Sequence, residues 1–386
     1  MIRRPPRSTQ SRSSAASDVY KRQSINADEL SRAETRQINY RELFPNLQLD
    51  ITQNSLLRTL DLAFFPQERG SYNYDPAAII QGDMVRLPNP ETRWGGVMRP
   101  LTTNNFDQAN VEYMQFWIMD PYQNYSLTTE EGLPQGLNPK NLTNQVGDLY
   151  INLGNISEDI LKDNRKMYEN GLPEDGLKVD GNNINKTIWG DIPKNPSIIY
   201  AFNEEDDARL NQDIGLDGLN DAEEQKLPGI GQFATLEDPA ADNFQFFRGT
   251  ALDDINASII KRYKDFNNPQ GNSPTLNQST ESFPTSSTTY PDTEDINKDQ
   301  TMNTVESYYE YRISMNQADL AKGTGYVVDE KTTTTTLKNG QTQQTKWYQF
   351  RVPVRSGTPI NGISCLLYTS DAADDLLCVD LGGRRI

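Results

Sequence analysis

The side chains best suited to chemistry in this sequence are acidic, and their spacing fits ion capture better than covalent turnover. Residues 213–224 read Asp-Ile-Gly-Leu-Asp-Gly-Leu-Asn-Asp-Ala-Glu-Glu and follow most of a 12-residue calcium loop. Asp213, Asp217 and Asp221 stand at its first, fifth and ninth positions, Gly218 at the turn, Leu219 at the carbonyl position, and Glu224 at the bidentate end. Gly215 replaces the ligand expected at the third position. A second loop, Asp295 to Glu306, places oxygen donors at Asp295, Asn297, Asp299, Asn303 and Glu306 with the Thr301 carbonyl between, although Gln300 stands where glycine is expected. Calcium is the hard cation that such all-oxygen sets suit; the plainer reading of each is an acidic, solvated loop.

Other chemistries are poorly provided for. The chain has no His, and its two cysteines, Cys365 and Cys378, lie near the C-terminus, so residues 24–364 offer no disulfide, thiol, zinc or His-dependent catalysis. Glu204, Glu205, Asp206 and Asp207 cluster as a glycosidase pair requires, but consecutive carboxylates are more often a solvated face. No catalytic residues are assigned and no enzyme activity is expected. Trp94, Trp117, Trp189 and Trp347 are candidates for stacking on sugars or, more simply, for core packing.

The elements that must position these loops are mostly strands. Val111 to Met119 is apolar on both faces, as in a strand buried on two sides, whereas Leu149, Ile151 and Leu153 alternate with polar residues. Ser157 as N-cap, Glu158 and Asp159 in a first turn, and Gly171 beyond the end predict a helix between them. Helix is also expected over 28–41 and 251–266, and a strand over 56–65. The segment 306–314 reads as a strand, and Asn339-Gly340 predicts a hairpin whose second arm puts Tyr348, Phe350, Val352 and Val354 on one face. The expected fold is mainly β: jelly-roll-like β-sandwich domains with a few short helices and long loops. Residues 24–105 form an N-terminal segment, 106–266 a sandwich-like region with acidic loops, 267–291 a linker or long loop, and 292–364 a hairpin-rich region.

Trp94-Gly-Gly-Val-Met-Arg99, Asn110 to Pro121, Gly147 to Asp159 and Tyr168-Glu-Asn-Gly-Leu-Pro173 together resemble the SprA (Sov) family of gliding-motility and secretion proteins. Thr59 to Asp75, Arg262 to Ser273 and Trp347 to Val354 are similar to it as well, so the resemblance spans most of 24–364. It implies an internal fragment of a very large outer-membrane β-barrel protein, the translocon of the type IX secretion system. Its implied partners are other components of that system and secreted cargo proteins, at the outer membrane and cell surface. The alternative is a calcium-stabilised cell-surface module that binds glycans through its aromatic faces.

Residues 1–23 and 365–386 resemble translated sequencing-adapter read-through. Those flanks hold eight of the 37 Lys and Arg residues and five of the 54 Asp and Glu residues, so 24–364 keeps 29 basic against 49 acidic and a net charge of −20 rather than −17. Such a surface repels phosphate backbones, and no nucleic-acid partner is expected.

Overall fold

The computed structural model describes residues 27–122, 147–279 and 290–361, apart from 34, 49–54, 83, 102–105, 107–108, 162–163, 167, 170, 195–198 and 249–250, together with the strand Cys378–Arg384. In chain order its strands are β1 (Ile38–Asn39), β2 (Leu56–Leu57), β3 (Ile79–Gln81), β4 (Met84–Arg86), β5 (Trp94–Pro100), β6 (Tyr113–Met119), β7 (Asp148–Asn155), β8 (Ile184–Lys186), β9 (Asp191–Pro193), β10 (Ser307–Ser314), β11 (Val327–Thr336), β12 (Thr342–Pro353), β13 (Thr358–Ile360) and β14 (Cys378–Arg384). Helices are single turns or little more, the longest α-helix being Asp206–Gln212. The chain is therefore mainly β, and no closed barrel forms among the described residues. Among the described residues no helix is long and apolar enough to cross a membrane.

Two antiparallel sheets face each other. One has the order β13-β10-β7-β14-β5 and the other β11-β12-β6. The period-2 alternation in β7, β10 and β12 turns Ile151, Leu153, Tyr311, Ile313, Tyr348, Phe350 and Val352 into one shared core, where Phe350 stacks on Phe116 at 5.4 Å between ring centroids. As its sequence suggests, β6 works on both faces: Phe116 and Ile118 join that core, while Trp117 and Met119 pack with Trp347, Ile38 and Leu43 on the outer side. The residues around 38–43 thus cap the back of the smaller sheet.

The division into a 106–266 and a 292–364 region is one of sequence only. β7 pairs with β10 from Asn155↔Ser307 to Asp148↔Ser314, and β6 pairs with β12, so both regions build the same sandwich. The expected linker, 267–291, does not behave as one over 267–279, where Asn268, Ser273 and Thr275 are buried and hydrogen-bonded; its residues 280–289 lie outside the described residues. Of the two suspected foreign ends, 1–23 also lies outside them. From the other, β14 occupies the slot between β5 and β7, because two open strand edges accept any extended backbone that fits.

The predicted helices are shorter than expected. Over 28–41 only the 3-10 turn Glu29–Ser31 and the start of Tyr40–Leu43 form, and over 56–65 only Leu56–Leu57 is strand. The 251–266 stretch breaks into Ala251–Asp254 and Ile259–Arg262 around Asn256, whose φ is +48°. Between Ser157 and Gly171 the described residues are not helical, because Glu158 is drawn inward: its carboxylate accepts from the amides of Ile296 and Asn303 at 3.1 and 3.2 Å. The hairpin forms where Asn-Gly marks it, but only Gly340 has positive φ, +83°. Its turn closes through Gly340 N donating to the Leu337 carbonyl at 3.0 Å, a type I turn followed by a left-handed glycine.

Candidate metal centre

The described residues of 156–305 and of 69–92 form a loop-rich layer held by small apolar clusters and buried charge. The 213–224 loop lies in it. Asn220 caps the turn Asp221–Glu224 in a reciprocal capping box with Glu223, which orients that turn so that Glu224 points inward and is fully buried. Gly218 has φ +67°, and a Cβ there would collide with the Asp191 carbonyl. At Gly215, φ +89°, a Cβ would collide with the carboxylate of Asp242. The residue missing from the third loop position leaves room for an acid from another part of the chain.

That acid completes a cluster. Asp217, Glu224 and Asp242 each show 0 % exposure, and they can present one carboxylate oxygen apiece within 4.8 Å of one another. Each spends one oxygen on a protein donor: Leu219 N to Asp217 Oδ1 at 3.0 Å, Ala240 N to Glu224 Oε2 at 2.8 Å, and the Tyr72 hydroxyl to Asp242 Oδ2 at 2.7 Å. The other oxygens, Asp217 Oδ2, Glu224 Oε1 and Asp242 Oδ1, are buried with no hydrogen-bond partner. At the rim, Asp221 and Asp238 approach Glu224 within the same 4.8 Å. Their oxygens are occupied: Asn243 and Gln270 amides donate to Asp221, and the backbone N–H groups of Asp242 and Asn243 donate to Asp238.

Burial, and then the Asp242 charge, push the Glu224 carboxyl up to about 9, and the same two causes hold Asp217 well above the ordinary carboxylate range. Asp242 is raised likewise by burial, against the hydrogen bond from Tyr72. In the absence of a cation these groups keep protons that water-exposed carboxylates would release. Nearby basic groups are committed elsewhere. Arg69 donates to the carbonyls of Pro239 and Asp238, and Lys178 to the Gly218 carbonyl and the Glu223 carboxylate.

The remaining sequence candidates fall as follows. Asp213 stands apart, with Oδ2 accepting from Ser273 N at 2.8 Å and burial raising its pKa to about 7. Its neighbour Glu169 is raised by burial and by Asp213, and accepts from Gly215 N. Leu219 is buried, and its amide serves Asp217. In the second loop the donors turn on one another. Asp295 accepts from Asp299 N and Gln300 N and pairs with Lys166 at 2.6 Å; Asp299 accepts from Thr301 and Asn297; Asn303 accepts from Val305 N; and the Glu306 carbonyl accepts from Asn361. Among the described residues that loop gathers no three-carboxylate cluster. Asp238, Asp242 and Tyr72, which shape the first site, escape a reading based on local spacing because they come from outside the 12-residue window.

No curated protein matches the chain. Residues 224–364 match the profile of the SprA N-terminal family, described as motility related/secretion protein. The match takes in Glu224, Asp238 and Asp242 of the cluster, the 339–340 turn and most of the smaller sheet. Motility and secretion are work of the cell envelope, with which this match associates the chain. Over that segment the chain is similar to the SprA family of motility and secretion proteins.

Proposed function

We propose that the chain is an architectural, non-catalytic portion of the outer-membrane translocon of the type IX secretion system, required for protein secretion and gliding motility. The family match over 224–364 carries this reading. The packing supports it: apolar residues are committed to joining two sheets, and the acidic loops to a rigid layer. Such a body serves as a docking surface for other secretion components and for cargo, and as a wall of the conduit.

A glycan-binding module needs exposed aromatic platforms, and three of the four tryptophans are spent otherwise. Trp347 is buried with Nε1 donating to Glu42 at 3.0 Å, Trp117 packs on the same cluster, and Trp189 lies against Ile192 and Leu216. In a gliding bacterium, in-frame removal of residues 24–364 from the full-length gene abolishes both colony spreading and release of secreted proteins. Retention of both overturns the proposal.

A further inference from the structure

We propose that Asp217, Glu224 and Asp242 form a structural binding site for one calcium ion, which ties the 213–224 loop to the 238–243 loop and, through Tyr72, to the 69–75 segment. This inference is independent of the role in secretion.

Acidic residues cluster on many surfaces without binding anything. Here the cluster is not on a surface. Its three members have no exposure, and each keeps one oxygen that finds no hydrogen-bond donor. A buried acceptor without a partner is costly; the three carboxylates that carry these acceptors can each present an oxygen within 4.8 Å of the others, so a single cation can answer all three. Leu219 N, Ala240 N and the Tyr72 hydroxyl hold the other oxygens in place, so the unpaired ones are preorganised. Tyr72 is itself fixed, because its oxygen also accepts from Leu216 N at 2.7 Å.

The donor set chooses the ion. It is all oxygen, in a chain with no His, which disfavours zinc, copper and nickel. Three carboxylates, with a fully buried surround, suit an ion that sheds its water readily and accepts irregular geometry; calcium does both, whereas magnesium holds its hydration shell. Gly215 and Gly218 follow from the same requirement, since side chains at either would close the space in which Asp242 and the Asp191 backbone approach the loop.

The test is made on the purified full chain after treatment with EGTA. Isothermal titration with calcium chloride gives a stoichiometry of one, and calcium raises Tm by about 5 °C or more, reversibly on adding EGTA. Terbium, a luminescent hard-ion substitute, is sensitised by Tyr72 beside the site, and calcium quenches that emission by competition. Asp242→Asn and Glu224→Gln each abolish the Tm shift and the terbium signal, while Asp299→Asn in the other acidic loop leaves both intact. Absence of calcium binding to the wild-type chain overturns the proposal. So does a calcium response that survives in folded Asp242→Asn and Glu224→Gln, or one that disappears with Asp299→Asn. Should one variant fail to fold, the other, with terbium competition in the wild type, decides.

Discussion

Arg36 and Glu42 form a buried bidentate ion pair, with guanidinium nitrogens 2.8 and 2.5 Å from the two carboxylate oxygens. The pair joins the N-terminal segment to the smaller sheet, since Glu42 also accepts from Trp347 Nε1 and Arg36 donates to Thr345 Oγ1. Removing one partner of such a pair strands the other charge, which costs about 3–5 kcal/mol. Glu42→Gln should lower the urea midpoint accordingly, whereas a joint apolar replacement, Arg36→Met with Glu42→Leu, should recover most of the loss. An unchanged midpoint in Glu42→Gln would refute the pair's role.

The Asp213 carboxyl gives a dependence on pH. Burial raises it to about 7, so the folded chain holds a proton that the unfolded chain, with an ordinary carboxylate value of about 3.9, has already released. The contribution to stability is therefore full below about pH 4 and is lost as pH rises through about 7. In chelator, Asp213→Asn should flatten that part of the stability profile, because an amide keeps an acceptor for Ser273 N without titrating. Parallel profiles for the two proteins between about pH 4 and 7 would contradict this.

Gly218 tests how tightly the loop is packed. With φ +67° and the Asp191 carbonyl in the path of any Cβ, Gly218→Ala adds backbone strain to a clash with main chain that has little freedom to retreat. A loss of about 2 kcal/mol or more is expected in chemical denaturation. Gly229→Ala also meets a positive φ, +91°, but open space around it, and should cost less.

Phe350 reports on the sandwich. It is 1 % exposed and stacked on Phe116, so Phe350→Ala should destabilise by about 3–5 kcal/mol. Thr334→Ala, on the outer strand β11, should change stability by less than about 0.5 kcal/mol. Similar costs for the two would mean that the core does not lie between these sheets.

Much of the sandwich was legible because its signals are local. The alternation in 149–153 and 348–354 and the Asn-Gly turn identify strands and faces without reference to the rest of the chain. The loop-rich layer was not, because its elements answer to distant partners. Glu158 has the type and place of a helix first-turn acid, yet serves amides about 140 residues away, and the helix predicted after Ser157 gives way. The calcium-loop spacing located Asp217 and Glu224 but not Asp242, which only the folded chain brings to them. Likewise the pairing of β6 with β12 links residues more than 200 positions apart, beyond any window of periodicity.

The outer strand β11 has a further consequence. Among the described residues β12 is the one strand it pairs with, and its residues run Val-Val-Asp-Glu-Lys-Thr-Thr-Thr-Thr-Thr. Charges at Asp329, Glu330 and Lys331, with Lys331 donating to the Leu43 carbonyl, make that border a poor template for stacking further chains. Neutralising the three would remove the safeguard, and fibrillar self-association would be the symptom to watch for in any variant library drawn from this strand.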